Sequence, residues 1–424
     1  MILITALLLK KKINTIFAFT IIPIIGALLI GANLTDISEY VTTGLGKTLN
    51  MMLIMFFSLP YFGIMSEAGL FDMIVEALLK RTKLGVITVC VITVLVSLVT
   101  EIDGSVTSTY LITIPMMLPL FKKLNIRPRV LVFLCSLSMC AMFNTPWNGR
   151  VLRAATLLEG IDNPQNYIFT HLFPLQCVFV VMCIITAIII AKHEMKLGAG
   201  VPDQIEASTE SFKMEQTEYS RPKLFWVNLL LTIGIVVGLS LLPFEDYVVF
   251  AIGLVIALAI NYPKLDIQNT LLKKYAQDLY PTACAVFLSG VVVGVLQESG
   301  MMDEMVAFLI NIIPTILGSK VYLIIALVST PLMMIFTNDV WQYALVPIVA
   351  SLSTKFGVPN EIVVLTLLMN MGAMVSPVAQ PQIYMACDLA DKTELADYVR
   401  FSFAPFWILS ILWTIAGLIM GIFC

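Results

Sequence analysis

"FGIMSEAGLFDMIVEAL", residues 62–78, returns as "VGVLQESGMMDEMVAFL", residues 293–309. Gly69 falls on Gly300, an offset of 231 positions. The same offset carries Pro146 of "AMFNTP" (141–146) onto Pro377 of "AMVSP" (373–377). An internal repeat of this length decides the architecture before any motif is weighed. Each half reads as three apolar spans, an amphipathic segment, a paired apolar segment, an interrupted span and a last span. Residues 1–9 are then the stub of a span whose counterpart, 224–243, is complete, so the chain starts late or its first span is shortened.

The 424 residues are 59% hydrophobic and 12% charged. Soluble domains carry about 25% charged residues. Apolar runs recur throughout, several near the roughly 20 residues that cross a bilayer as a helix. The fold class is all-α, a polytopic protein of the cell membrane. No cleavable signal peptide is expected from "MILITALLL". The eight cysteines lie in apolar runs and read as packing residues, and His171 and His193 are far apart, so a zinc site is not expected. Nothing in the composition points to nucleic acid.

Taking Lys10, Lys11 and Lys12 as cytoplasmic and counting spans sets the orientation. All but five of the 25 Lys and Arg then fall on the cytoplasmic side. Lys47, Lys320 and Lys355 lie outside, and Arg150 and Arg153 lie within the membrane. That asymmetry satisfies the positive-inside rule. It makes 193–223 a cytoplasmic linker and puts the C-terminus outside. It also inverts the halves, since the basic residues 10–12 correspond to the acidic stretch 244–246. Inverted repeats with broken helices at the midplane are the architecture of secondary transporters.

The segments 84–100 and 106–121 flank "TEIDGSVTSTY" (100–110). Two full spans or one re-entrant hairpin both return the chain to the same side. The tip composition favours the hairpin: Gly104 permits a tight turn, and Ser105 and Thr107 are polar groups that need protein, water or ligand at membrane depth. The matching element is 319–354, with "FTNDVWQY" (336–343) at its tip. Asp103 and Asp339 are read as symmetry-related acids, with Glu101 as a third. Ionisable groups inside a membrane are expensive, which marks these as proton- or cation-coupling candidates.

"CAMFNTPWNGRVLRAA" (140–155) interrupts an apolar span. Pro146 removes a backbone donor and clashes with the preceding turn. The first half-helix then offers its negative end to a cation, and the second, beginning near Asn148, offers its positive end to an anion. Arg150 and Arg153 share a face of that second half-helix. Arginine suits bidentate carboxylate binding, although snorkelling to the headgroups is the alternative for Arg150. The second-half counterpart, "SPVAQPQ" (376–382), has no arginine and supplies Ser376 and Gln380.

The stretches "SEAGLFD", "DGSVTSTYLIT", "PLFKKLNIRP", "PWNGRVLRAA", "FTNDVWQYALVP" and "SPVAQPQIYM" resemble the citrate–divalent metal–proton symporter family, CitMHS, of the ion-transporter superfamily. The resemblance covers nearly the whole chain. It implies a D-G-T-T-type tip on Asp103, Gly104, Ser105 and 107–109, a family arginine on Arg153, and a second tip on Thr337, Asn338 and Asp339. Asn148 stands where a glycine is usual, and Arg150 where a small or proline residue is usual. The added cation points to a more anionic substrate or another binding pose.

The wider superfamily implies an elevator mechanism in a homodimer. Segments 84–192 and 319–424 would move as the transport part, with 1–83 and 224–318 as scaffold.

The function expected is proton-coupled import of a di- or tricarboxylate such as citrate, as a divalent-metal complex. Asn144, Thr145, Asn148, Gly149, Arg150, Arg153, Ser105, Thr107, Asn338, Ser376 and Gln380 are the substrate-binding candidates. Asp103, Asp339 and Glu101 are the coupling acids, with Asp103 and Asp339 also the metal candidates. Mg²⁺ or Ca²⁺ would travel with the substrate, since hard cations prefer oxygen ligands, and no permanently bound cofactor is expected. Sodium-coupled dicarboxylate uptake on the same fold is the alternative. An intramembrane enzyme would need a catalytic set that the sequence does not display. A passive channel is disfavoured by the paired broken helices.

The repeat-related pairs Glu67/Glu298 and Asp72/Asp303 read as interfacial caps. Trp147 and Trp341 read as packing beside the breaks, and His171 as a boundary residue.

Overall fold

The computed structural model describes residues 13–71, 73, 85–158, 160–200, 217–302, 304, 307, 315–336, 338–377, 379, 380 and 382–424. The stub 1–9, Lys10, Lys11, Lys12, Asp72, Asp303, Thr337 and Pro381 lie outside the described residues, as do the side chain of Asp339, linker residues 201–216 and most of both amphipathic segments.

Every described element is helical. The first half runs α1 (Thr15–Leu29), α2 (Leu34–Glu67), α3 (Val86–Thr100), α4 (Val106–Lys123), α5 (Pro128–Met142), α6 (Gly149–Ala155) and α7 (Pro164–Lys196). The second half opens with α8 (Phe225–Leu241), α9 (Asp246–Asn261) and α10 (Leu265–Glu298). It continues through α11 (Val321–Leu327), α12 (Ser329–Met333), a helical turn Asn338–Val340, a π-turn Trp341–Leu345 and α13 (Val346–Lys355). It closes with α14 (Asn360–Leu368), α15 (Gln382–Leu389) and α16 (Leu395–Ile419). Six stretches of the described residues are long and apolar enough to cross a membrane. The last span of the first half continues as helix to Lys196, so the polar connection begins after that residue and not at 193.

The repeat survives in three dimensions. α9 begins 231 residues after α1, and α10 begins and ends 231 residues after α2. These two long counterparts cross antiparallel. The Tyr275 hydroxyl donates to the Gly63 carbonyl at 2.8 Å, and Thr48 donates to that of Phe287 at 2.8 Å. A Cβ on Gly63 would lie 2.4 Å from the Tyr275 ring, and one on Gly294 would lie 2.8 Å from Gly44 Cα. Adding 231 to the first contact gives the second with its partners exchanged, which is the signature of a pseudo-two-fold axis. Repeat-equivalent helices that run in opposite directions make the halves inverted.

Local chemistry sets the helix ends. The Asn33 side chain accepts from the Thr35 and Asp36 amides, and Asp36 accepts from Asn33 N, a reciprocal cap that starts α2. Pro128 and Pro164 open α5 and α7, where a missing N–H costs nothing. Glu67 is held by Lys274 and by the Tyr275 hydroxyl at 3.2 Å, while Glu298 lies 3.7 Å from Lys47 Nζ. Of the acids expected as interfacial caps, Glu67 and Glu298 brace α2 against α10 near either end of the crossing.

Candidate functional site

α3 ends in a one-turn 3₁₀ segment, Glu101–Asp103, and Gly104 takes φ +73°, which reverses the chain into α4. This is the first hairpin. A side chain at Gly104 would strain the backbone. The tip is locked from within: Asp103 Oδ1 accepts from Ser105 N at 2.7 Å, and Ser105 Oγ accepts from Ser108 N at 3.3 Å and from the Ser108 hydroxyl at 3.0 Å. Thr109 donates to Glu101 Oε2 at 2.8 Å, while Glu101 Oε1 is buried without a partner among the described residues. Thr107 is half-buried on the same tip.

The first broken helix stops at Met142 and resumes at Gly149, with Asn148 as N-cap accepting from Arg150 N at 2.9 Å. The reading of the opening half-helix end and of Asn148 as the restart therefore holds in the structure. Trp147 Nε1 donates to the Ile102 carbonyl at 2.7 Å and ties the break to the hairpin tip. Its ring packs on Phe62 of α2 and Phe250 of α9, with centroids 5.1 and 6.0 Å away. Thr145 is buried and donates to the Met142 carbonyl at 3.2 Å, which closes the helix end. Gly149 faces α2, where a Cβ would come 2.9 Å from Met55 Cε.

In the second half, Trp341 Nε1 donates to the Leu367 carbonyl at 3.0 Å. Its repeat equivalent is Tyr110, whose hydroxyl lies 2.7 Å from Ser136 Oγ, and Ser136 is the equivalent of Leu367. Each hairpin is thus pinned to its own broken helix by one aromatic polar group at the same repeat position. Asn338 Nδ2 donates to the Ala379 carbonyl at 2.9 Å and to Gln380 Oε1 at 3.0 Å, and Ser376 Oγ accepts from Ala379 N at 3.2 Å. Asn338, on the helical turn Asn338–Val340, is therefore docked on the loop between Val375 and α15 that carries Ser376 and Gln380.

One expectation changes. The offset of 231 carries Asp103 onto Met334 and Ser108 onto Asp339. Asp103 precedes the turn into α4, whereas Asp339 follows the corresponding turn. The two acids are five residues out of register and are not symmetry-related positions.

Arg150 joins the halves. It is 8% exposed, its Nη1 donates to the Asn370 carbonyl at 3.3 Å, and its Cζ lies 3.8 Å above the Phe143 ring. Its Nη2 is buried without a partner among the described residues. Glu101 is within coulombic reach, yet no carboxylate among the described residues forms an ion pair with Arg150. Snorkelling is therefore not what the side chain does. Arg153, one turn on, directs its guanidinium over the Tyr343 ring at 5.8 Å. A buried cation without a paired anion is costly, and a guanidinium with an open N–H edge is shaped to take a carboxylate.

Two buried carboxamides at the breaks, those of Asn144 and Asn370, also have no partner at either atom among the described residues. The sequence reading named the first and missed the second. The signal it lacked was the true end of α14: aligning the breaks on Pro146 and Pro377 placed the interruption too late, whereas the helix already stops at Leu368. No group of three His, Cys, Asp or Glu among the described residues could hold a metal ion. The oxygens present around the first tip and the breaks are those of carboxamides, hydroxyls, freed carbonyls, Asp103 and Glu101. His171 is not near this chemistry; it stacks on Tyr167 at 3.9 Å at an exposed position.

The fold has a solved counterpart in the YdaH transporter of Alcanivorax borkumensis, with a TM-score of 0.59 over 93% of this chain and 88% of that one, at 15% identity. In sequence, the chain is 30% identical to the Mg(2+)/citrate complex secondary transporter of Bacillus subtilis (strain 168) over 93% of this chain and 88% of that protein. It is 30% identical to the citrate transporter of the same organism, over 100% and 97%. A third relative there, the uncharacterized transporter YraO, is also 30% identical, over 98% and 96%. The CitMHS model, described as citrate transporter, matches residues 3–309. Hairpins, broken helices, the buried arginine and these matches agree, and the chain belongs to the CitMHS family of citrate transporters.

Proposed function

We propose that this carrier imports a di- or tricarboxylate such as citrate, as a complex with Mg²⁺ or Ca²⁺, together with protons. The observation that carries the reading is Arg150, buried between the two breaks with one N–H edge open and no ion pair among the described residues. A substrate carboxylate supplies the missing charge. Arg153 reinforces it from the next turn of α6. The half-helix starting at Gly149 turns its positive end toward the same anion. Asn144, Thr145, Asn148, Gly149, Ser105, Thr107, Asn338, Ser376 and Gln380 complete the binding surface. Asp103, Glu101 and Asp339 exchange protons or meet the cation. The metal is cargo here, and the protein needs no resident cofactor.

In this reading 84–192 and 319–424 form the transport part and move against the scaffold, 1–83 and 224–318. Two copies associate through their scaffolds in the cell membrane. The polar linker that follows Lys196 is cytoplasmic and the C-terminus lies outside. The relatives' names support carboxylate transport, and the Mg(2+)/citrate relative supports a metal-bound substrate.

The test is uptake of labelled citrate into proteoliposomes under an inward proton gradient, with and without Mg²⁺ or Ca²⁺, beside Asp103→Asn and Arg150→Gln. Gradient-driven, metal-stimulated uptake that both variants lose supports the reading. Folded wild-type protein that takes up no citrate with any of these cations overturns it. Uptake driven by Na⁺ in place of protons transfers the coupling to the sodium alternative.

A further inference from the structure

Asn144 and Asn370 occupy the same place in the two broken helices. α5 ends at Met142 with Phe143 as C-cap, and Asn144 follows. α14 ends at Leu368 with Met369 as C-cap, and Asn370 follows. The correspondence is by helix end and not by repeat offset, which would carry Asn144 onto Val375. Both residues are buried, at 0% and 1% exposed, and among the described residues neither carboxamide has a hydrogen-bond partner for its oxygen or its nitrogen. By contrast, the buried carboxamides of Asn228 and Asn261 bond to each other in both directions, at 2.9 and 2.8 Å, and those of Gln165 and Gln176 donate through nitrogen and leave only the oxygen open. The Arg150 guanidinium reaches the backbone or ring of a residue at each of the two breaks. It lies on the Phe143 ring, next to Asn144, and donates to the carbonyl of Asn370 itself.

A carboxamide is satisfied only by a ligand of two characters. Its oxygen needs a donor or a cation, and its NH₂ needs an acceptor. A free polycarboxylate offers mainly acceptors, which leaves two buried oxygens unmet. A divalent cation chelated by a carboxylate offers both within one small ligand, and amide oxygen is an ordinary ligand for hard cations. Both amides also follow the C-terminal, negative end of a half-helix, which favours a cation beside them.

We propose that Asn370, with Asn144, is the specificity-determining element that selects a metal–carboxylate complex over the free acid. The amide oxygen faces the cation and the amide nitrogen faces the carboxylate. The proposal rests on the carrier reading above.

The test uses Asn370→Leu and Asn370→Asp in proteoliposomes. Labelled citrate is supplied either with excess Mg²⁺ or with divalent metal chelated away. Thermal unfolding of the purified variants in detergent reports folding. Leu removes both polar atoms at similar volume, and we expect it to raise KM for Mg²⁺–citrate by about tenfold or more, the loss of a hydrogen bond to a charged partner. KM for metal-free citrate should move far less, so the metal preference collapses. Asp keeps an oxygen for the cation, so its metal dependence should persist while metal-free citrate binds more weakly.

A purely structural asparagine gives a different result: fewer active carriers and a lower Vmax in both conditions, with the KM ratio unchanged, and that overturns the proposal. So does a wild type whose citrate uptake ignores metal, which leaves carboxylate transport standing. A folded wild type that moves no citrate at all overturns the carrier reading and this proposal together.

Discussion

Arg150 shows what one residue can decide in an apolar interior. Its guanidinium spends one N–H on the Asn370 carbonyl and leaves Nη2 without a partner among the described residues. A lysine retains the charge but is a single point donor and cannot serve both partners. Arg150→Lys should therefore fold and still lose about 2 kcal/mol of substrate binding, a factor of ~30 in KM. Kinetics of citrate uptake check this, and a KM within twofold of wild type would remove Arg150 from the site. The sequence made Arg150 and Arg153 legible because two arginines after a Pro-Trp-Asn-Gly break are conspicuous. It could not separate their roles, since the separation comes from the other half of the molecule: Asn370 for one, the Tyr343 ring for the other. Asn370 itself was hidden inside "LLMNMGAM" (367–374), an apolar run with no proline to mark the helix end. The end is set by packing. Gly372 presses on Thr330 of α12, where a Cβ would come within 2.5 Å of Thr330 Cα.

Elements were easier to read than residues, because hairpins and broken helices leave composition signals and a repeat doubles each of them. The offset of 231 predicted helix counterparts that the structure reproduces end for end in α2 and α10. The register of the two tip acids was misjudged because the tips share polarity without sharing sequence. The glycines at the α2–α10 crossing were not singled out at all, since a close helix approach has no local signature. A Cβ on Gly44 would lie 2.0 Å from the Gly290 carbonyl oxygen, and backbone cannot swing aside as a side chain does. Gly44→Ala should cost 3 kcal/mol or more, on the order of the upper range for overpacking, seen as a lowered melting temperature in detergent. Gly46, two residues away, meets nothing within 4 Å. Gly46→Ala should leave stability unchanged or raise it by about 0.5–1 kcal/mol, the helix-propensity gain. Equal losses in both variants would mean that the crossing is not the tight point of the scaffold.

The hairpin tip supplies a third element-scale expectation. Trp147→Phe keeps the apolar ring against Phe62 and removes only the N–H that binds the Ile102 carbonyl. Leaving that buried acceptor unmet should cost about 1–3 kcal/mol. The loss should appear as faster proteolysis or labelling at the 101–105 turn, with α2 and α10 unaffected. A turn as protected as in wild type would show that Trp147 packs without pinning.

At the scale of the whole molecule, the division into moving and fixed parts turns on contacts between them. Gln165, in the first turn of α7, donates to Asp246 of α9 at 2.7 Å, and both residues are buried. In the division proposed above this bond crosses from transport part to scaffold, so it must break in every cycle. The bond from Lys47 Nζ to Gln297 Oε1, 3.0 Å long, lies wholly within the scaffold and need not change. Bridging each pair by a short bifunctional thiol reagent separates the cases. The background should lack the exposed Cys177 and Cys424. Cross-linked Gln165→Cys/Asp246→Cys carrier should stop transporting and still bind citrate, with uptake restored when a reducible linker is cleaved. Cross-linked Lys47→Cys/Gln297→Cys carrier should keep its uptake rate. If the first bridge leaves uptake intact, α7 and α9 travel together and the boundary of the moving part lies elsewhere. If the second bridge alone arrests uptake, the crossing of α2 and α10 is the moving joint, and the two-fold axis that inverts the repeats would be the hinge about which the carrier alternates.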